Sequence, residues 1–215
     1  MNLIEELFGD STPTEKIPVE IQEYKTVHKN DIEAVSVINP NIDIGPWIAG
    51  GAPLRWWQGI PVGESDIDIF CRDAIQADEI INNIKSHGRW TKKYESENAT
   101  TLLYWREGDY QQQWTLQVIK KRYYKSLEEV INSFDISVCQ IGTCGNEWKL
   151  GAFTAQDIRN KVLNFKEPLQ PDAVKRLLKY WIYGYRPMPG TLEAIQNNPA
   201  SKWEYTLEEE YNNAF

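Results

Sequence analysis

Two aspartates separated by one residue, in Ser65-Asp66-Ile67-Asp68-Ile69-Phe70, carry the strongest chemical signal in the chain. The segment alternates polar and apolar residues, the period of a β-strand. Residues two apart on a strand share a face. Asp66 and Asp68 therefore project side by side, with Ile67, Ile69 and Cys71 on the opposite face. Carboxylates held that close repel unless a cation lies between them, and hard oxygen donors suit Mg²⁺ or Mn²⁺. A third carboxylate on a neighbouring strand would complete a two-metal site. Asp135 opens another apolar run, Asp135-Ile136-Ser137-Val138. Asp66, Asp68 and Asp135 are thus the predicted catalytic and metal-binding residues.

Upstream, Trp47-Ile48-Ala49 reads as a short strand that enters Gly50-Gly51 and then a helical stretch, Pro53 to Trp57. Glycines between a strand and a helix leave backbone N–H groups bare at the helix N-terminus, an arrangement that binds phosphate. They also let a triphosphate approach the backbone closely. Arg55, one turn into the helix, is within reach of a phosphate oxygen. Ser65 either hydrogen-bonds a β- or γ-phosphate or caps its own turn. Singly, each feature has an ordinary explanation: an Asp-x-Asp on a solvated edge, a Gly-Gly turn, a capping Asp. Their order along one strand–helix–strand unit points to in-line phosphoryl chemistry.

The elements that must position these residues follow from periodicity. Asp31 to Val37 reads as a short helix. Arg72 to His87 has apolar residues at helical spacing and Gly88 as a stop. Trp90–Tyr94, Ala99–Trp105 and Gln113–Ile119 read as strands, the first two joined as a hairpin around Ser96-Glu97-Asn98. A helix over Ser126–Asn132 leads to a predicted strand at Phe134–Ile141, then a turn at Gly145-Asn146 and a strand over Trp148–Phe153. From Thr154 the pattern is helical, with Pro171 to Tyr185 the strongest helix and Pro171 suited to its start. Trp181, Tyr183 and Tyr185 are expected in the core. The expected fold class is α+β (mixed α/β), a mixed β-sheet flanked by helices. The expected division is an N-terminal arm (1–30), a catalytic head (31–153) and a helical C-terminal part (154–215).

The chain has 215 residues, net charge −8 and 41% hydrophobic residues. That suffices for a buried core. Long-range attraction of a polyanion is weak at this charge, although Lys120-Lys121-Arg122 and Lys175-Arg176 with Lys179 are locally basic. The three cysteines form no C-x-x-C pair, so neither a disulfide framework nor a zinc knuckle is indicated; Cys71 and Cys139 read as buried small hydrophobes. Without a leader or membrane-spanning run in the sequence, cytoplasm is the expected location and no membrane partner is expected.

With these residues in place, the chain resembles the DNA polymerase beta-type nucleotidyltransferase superfamily. Within it, the chain is most similar to the head and neck of class II CCA-adding enzymes and bacterial poly(A) polymerases. Gly50, Gly51, Arg55, Gly59, Asp66 and Asp68 match the family's first pattern. Asp135-Ile136-Ser137-Val138 is similar to the later Asp-Phe-Thr-Ile-Asn-Ala strand. Asp157-Ile158-Arg159-Asn160-Lys161-Val162-Leu163 is similar to Asp-Leu-x-Asn-Lys-x-hydrophobic. Asp172 to Lys179 resembles the neck-helix motif read against the incoming base. The likeness runs over residues 47 to 195, with Ser133-Phe134 in place of the paired arginines and Pro171 in place of a leading Glu.

The resemblance implies two-metal transfer of a nucleoside monophosphate from an NTP to an acceptor hydroxyl. Mg²⁺ or Mn²⁺ would be held by Asp66, Asp68 and Asp135, and Asp135 would help take the hydroxyl proton. Gly50, Gly51, Arg55, Ser65, Asp172, Lys175, Arg176 and Lys179 would bind nucleotide. Three readings stay open here: transfer to RNA 3′ ends, the same chemistry on a protein or small molecule, and a silent nucleotide-binding or scaffolding module.

Overall fold

The computed structural model describes residues 26–63, 65–87, 90–105, 113–167, 169 and 172–197. In chain order these form α1 (Ile32–Ile38), β1 (Trp47–Ala49), α2 (Gly51–Trp57), β2 (Asp66–Phe70), α3 (Ala74–Ser86), β3 (Trp90–Glu95), β4 (Ala99–Trp105), β5 (Gln113–Ile119) and α4 (Leu127–Asn132). A 3₁₀ turn (Ser137–Cys139) follows, then β6 (Ile141–Thr143), β7 (Trp148–Leu150), α5 (Thr154–Asn160), β8 (Val162–Leu163), α6 (Ala173–Ile182), β9 (Arg186–Pro187) and α7 (Thr191–Asn197). Most of the expected N-terminal arm, Gly88, Pro171 and residues 198–215 lie outside the described residues.

Seven strands make a sheet in the order β3-β4-β5-β2-β1-β6-β7. β2 and β5 run parallel, and the other neighbours pair antiparallel. This is the mixed, helix-flanked sheet expected from the sequence. The alternation in β2 decides its two faces. Ile67, Ile69 and Cys71 point into a fully buried layer with Leu102, Leu116 and Val118, covered by Ala34 and Ile38 of α1 and Ala77, Ile81 and Ile84 of α3. Each large aliphatic side chain buried there contributes about 1.5–3 kcal/mol. On the other face Trp47, Ala49 and Phe70 pack on Leu127, Val130 and Ile131 of α4. Beyond that cover lie Asp66, exposed, and Asp68, half-buried.

Local polar contacts set the element ends. Asp73 accepts a hydrogen bond from the Gln76 amide at 2.8 Å and starts α3. Ser126 does the same for α4 from the Glu129 amide at 3.2 Å. Such caps satisfy amides that the first helical turn leaves unpaired.

Among the described residues the most deeply buried charged group is the carboxylate of Asp31, 1% exposed at the start of α1. Oδ2 accepts from the Trp56 indole at 2.8 Å and the Val62 amide at 2.9 Å. Oδ1 accepts from the Trp114 indole at 2.9 Å. One side chain thus ties α1 to α2, to the loop before β2, and to β5. Three N–H donors satisfy a carboxylate that would otherwise be costly to bury.

The segment predicted as a strand from Phe134 to Ile141 is not one. Ile136 forms a single bridge to Phe165, and Ser137 to Cys139 tighten into the 3₁₀ turn. The cause lies in α5: Ser137 Oγ donates to the Asp157 carboxylate and Thr154 Oγ1 donates to the Ser137 carbonyl at 2.8 Å. These side chains offer the backbone an alternative to the sheet ladder. Farther on, β7 stops at Leu150, short of Phe153: the Gly151 amide still reaches the Gln140 carbonyl at 2.7 Å, and the Thr154 amide then closes a turn on the Gly151 carbonyl at 3.2 Å and leads into α5.

The C-terminal helices pack as one cluster, where Ala173, Leu177 and Tyr180 of α6 meet Leu54 and Trp57 of α2 together with Ile136, Val138 and Ile141. Tyr185 joins this core, as expected, but Trp181 and Tyr183 do not. Trp181 is half-buried and Tyr183 is 44% exposed. At 3.6 residues per turn both fall off the stripe that Ala173, Leu177 and Tyr180 present to the core. The short parallel pair β8-β9 was also unforeseen.

Asp31→Ala leaves two indoles and an amide without an acceptor. The expected loss is about 3 kcal/mol or more of folding free energy, read by urea denaturation, and Asp31→Asn, which keeps one acceptor oxygen, should lose less.

Candidate active site

Asp66 and Asp68 stand where the sequence pattern put them, on one face of β2 at the sheet centre, between β5 and β1. Burial pushes the Asp68 carboxyl from 3.8 up to about 7; the nearby charge of Asp66 adds to the rise, and Lys179 opposes it. The two acids thus repel one another, and α6 contributes an opposing positive charge from Lys179.

Gly50 adjoins it. Its φ of 90° and ψ of −130° suit glycine and strain any other residue. A Cβ there would lie 3.2 Å from the Phe134 ring and 4.0 Å from Asp68 Oδ2. The Gly50 amide donates to the Ile141 carbonyl at 2.9 Å, which fixes the turn against β6. A Cβ on Gly51, the first residue of α2, would meet nothing within 4 Å, so that side of the turn is open. Arg55 is held at the loop before β2, with Nε donating to the Pro61 carbonyl at 2.8 Å and its guanidinium 5.9 Å from the Tyr183 ring centroid. Ser65 is half-buried, and its amide closes a turn on the Val62 carbonyl at 3.2 Å.

Asp135 does not join the pair on β2. It is 8% exposed, and both of its oxygens are bound by the Arg176 guanidinium, Nη2 to Oδ2 at 2.7 Å and Nη1 to Oδ1. Arg176 Nη2 also meets Asp172 Oδ1 at 3.0 Å. The fork-to-fork geometry makes this a strong charge-assisted contact. The expected cluster of three carboxylates is thus not assembled: among the described residues, no group of three His, Cys, Asp or Glu side chains is placed to hold a metal ion.

Helix α6 brings the basic residues together. Asp172, Arg176, Lys179 and Tyr183 follow one another at three- or four-residue steps and so share a face. Along that face Arg176 reaches Asp135, Lys179 influences Asp68, and Tyr183 meets Arg55. Lys175 is exposed. Cys139 lies behind the helix, its Sγ 2.8 Å from the Tyr180 hydroxyl. Burial pushes its thiol up to about 11, and burial likewise pushes Cys71 up to about 12. Neither is a ready nucleophile at neutral pH. Sequence reasoning missed Asp31, whose carboxylate steadies α2 and β5, and Tyr183, assigned to the core; a buried Asp with distant indole partners leaves no local sequence signal.

The fold is nucleotidyltransferase-like. A solved CCA-adding enzyme in complex with ATP matches with a TM-score of 0.60 at 15% identity, over 90% of this chain and 50% of that one. The Thermotoga maritima CCA-adding enzyme complexed with tRNA matches with a TM-score of 0.53 at 12% identity, over 90% and 45%. A tRNA nucleotidyltransferase with a primer tRNA and an incoming ATP analogue matches at 0.54 and 15%, over 79% and 49%. The chain thus spans about half the length of these enzymes. In sequence, residues 22–161 match the Gabija anti-defense 2 family, and the chain belongs to that family. No curated protein matches it in sequence. No helix among the described residues is long and apolar enough to cross a membrane.

Because the Asp68 carboxyl titrates higher in the fold than in the unfolded chain, the metal-free folded state binds the extra proton between about pH 4 and 7. Its stability therefore falls as pH rises through that window. Asp68→Asn removes the penalty: the variant should match wild type at pH 4 and exceed it above pH 7 by on the order of 1–2 kcal/mol, read as paired urea unfolding curves in EDTA.

Proposed function

We propose that this chain is a metal-dependent nucleotidyltransferase that moves a nucleoside monophosphate from an NTP to an acceptor hydroxyl. The observation that carries this reading is the pairing of Asp66 and Asp68 on one open face of β2, beside the Gly50 turn, in a fold shared with CCA-adding enzymes. The pair fits a divalent cation: two hard oxygen donors lie together, and the burial that raises Asp68 is a cost that a bound cation relieves. Mg²⁺ or Mn²⁺ held there supplies positive charge to the triphosphate.

The remaining work falls to the chain's own groups. Gly51 leaves room for phosphate oxygens, and Gly50 sets the turn that presents it. Arg55, kept in place by Pro61, and Ser65 face the departing pyrophosphate. Lys175, Arg176 and Lys179 line the nucleotide from α6, and Asp172 orients Arg176. The acceptor oxygen bonds to the α-phosphorus, the bond from that phosphorus to the bridging oxygen breaks, pyrophosphate leaves, and the hydroxyl proton passes to water. Asp135, the third carboxylate of the expected site, acts through Arg176 while their ion pair holds. Catalysis of this kind rests on positioning and fixed charge. On this reading residues 31–153 are the catalytic head, and α6, from the part that begins at residue 154, walls it.

An RNA 3′ end is the favoured acceptor, since two of the similar enzymes were solved with tRNA. A protein or small-molecule acceptor is the second reading. Two observations favour it: the net charge of −8, and a family named for action against the Gabija defence. On that reading the transfer modifies something the defence requires.

Incubation with each of the four α-³²P NTPs, Mg²⁺ or Mn²⁺, total RNA and cell protein separates these readings. Label is expected on one acceptor class, and Asp66→Ala/Asp68→Ala should lower it at least ~100-fold while leaving the circular dichroism spectrum unchanged. Absence of both label and NTP binding would refute the assignment.

A further inference from the structure

We propose that this centre takes one divalent cation, not two, and that Gln117 occupies the place on the neighbouring strand where a second ion would need a carboxylate. The inference rests on the nucleotidyltransferase reading and concerns the same site.

The sheet register supplies the argument. Asp66 pairs with Thr115 of β5, and Asp68 pairs with Gln117. Gln117 pairs in turn with Thr101 of β4, and Gln117 Nε2 lies 3.5 Å from Thr101 Oγ1. Residues directly opposite in a ladder share a face, so Thr101, Gln117 and Asp68 form one polar row across three strands. On the other side of β2, the β1 partner of Phe70 is Trp47. Neither strand beside Asp66 and Asp68 thus offers an acid at these positions.

A second hard cation must find an additional anionic oxygen. Asp135 is not free to give one, because both its oxygens serve the Arg176 guanidinium. Opening that pair strands a carboxylate and a guanidinium in a largely buried place, which is strongly unfavourable. Arg176 already lacks a partner at Nε, which is buried without a hydrogen bond. Meanwhile α6 brings fixed positive charge to the site through Lys179, which acts on Asp68. This lysine adds one positive charge to that of a single ion, which makes up part of what a second ion would bring. Gln117, neutral and able both to donate and to accept, then bonds to substrate without competing for metal.

The test is Mn²⁺ counting on the full chain by isothermal titration and electron paramagnetic resonance, alone and with a non-hydrolysable ATP analogue. One tightly bound Mn²⁺ per chain, with the six-line spectrum of an isolated ion, is expected in both. Asp135→Asn should leave the count at one, and Gln117→Glu should raise it to two with an exchange-coupled spectrum. Two coupled ions in wild type, reduced to one in Asp135→Asn, would overturn the inference and leave the transferase reading standing. A Gln117→Glu variant that folds but still binds one ion would remove Gln117 from the third-ligand place. No Mn²⁺ bound in any form, together with no label transfer, would sink both.

Discussion

The carboxylate of Asp31 is the contact on which the rest of the arrangement depends. It lies at the start of a helix but caps nothing there. It gathers Trp56, Val62 and Trp114 instead. Those residues belong to the helix after the glycine turn, the loop that delivers β2, and the strand parallel to β2. All three elements flank the Asp66–Asp68 pair. A buried acid with three N–H donors is directional, whereas the surrounding apolar packing is not. The apolar layer makes the sheet stable; Asp31 fixes how its central strands meet α2.

A tension between charge and burial runs through the site. Asp68 is pressed against Asp66 and partly withdrawn from water, while Asp135 is fully compensated by Arg176. The molecule thus keeps two acids pressed together on one strand face and a third sealed by a guanidinium. Two like charges held together where one is partly buried favour a cation between them, and a sealed acid shapes its surroundings without competing for it. Helix α6 enforces the difference with a single face that gives a bidentate partner to one acid and a more distant ammonium to another.

Much of this was legible in the sequence. Alternation in β2, the Gly50-Gly51 junction and the helical spacing of Arg72 to His87 act within a few residues, and the elements they mark formed close to their expected bounds. The mixed sheet followed from those elements. What escaped notice is non-local. The strand expected at Phe134–Ile141 gave way to hydrogen bonds from Thr154 and to Asp157, about twenty residues later. The role of Gln117 depends on which strand lies beside β2, a matter of register across a long crossover. The exposure of Tyr183 depends on which face α6 turns inward. The Asp135–Arg176 pair joins residues 41 positions apart, and no local pattern announces it.

The Gly50 turn leaves one further mark. The space a methyl group would need there is taken by the Phe134 ring, which also meets Phe70 edge-on at 5.8 Å between centroids. The two positions, 84 residues apart in sequence, share one small volume. They are therefore not free to drift separately over generations. A descendant that trims position 134 opens a hole beside the acidic pair, yet gains nothing at position 50, because the backbone there still demands glycine. Relaxation is possible in one direction only, and lineages of this fold should show variety at the ring and none at the turn.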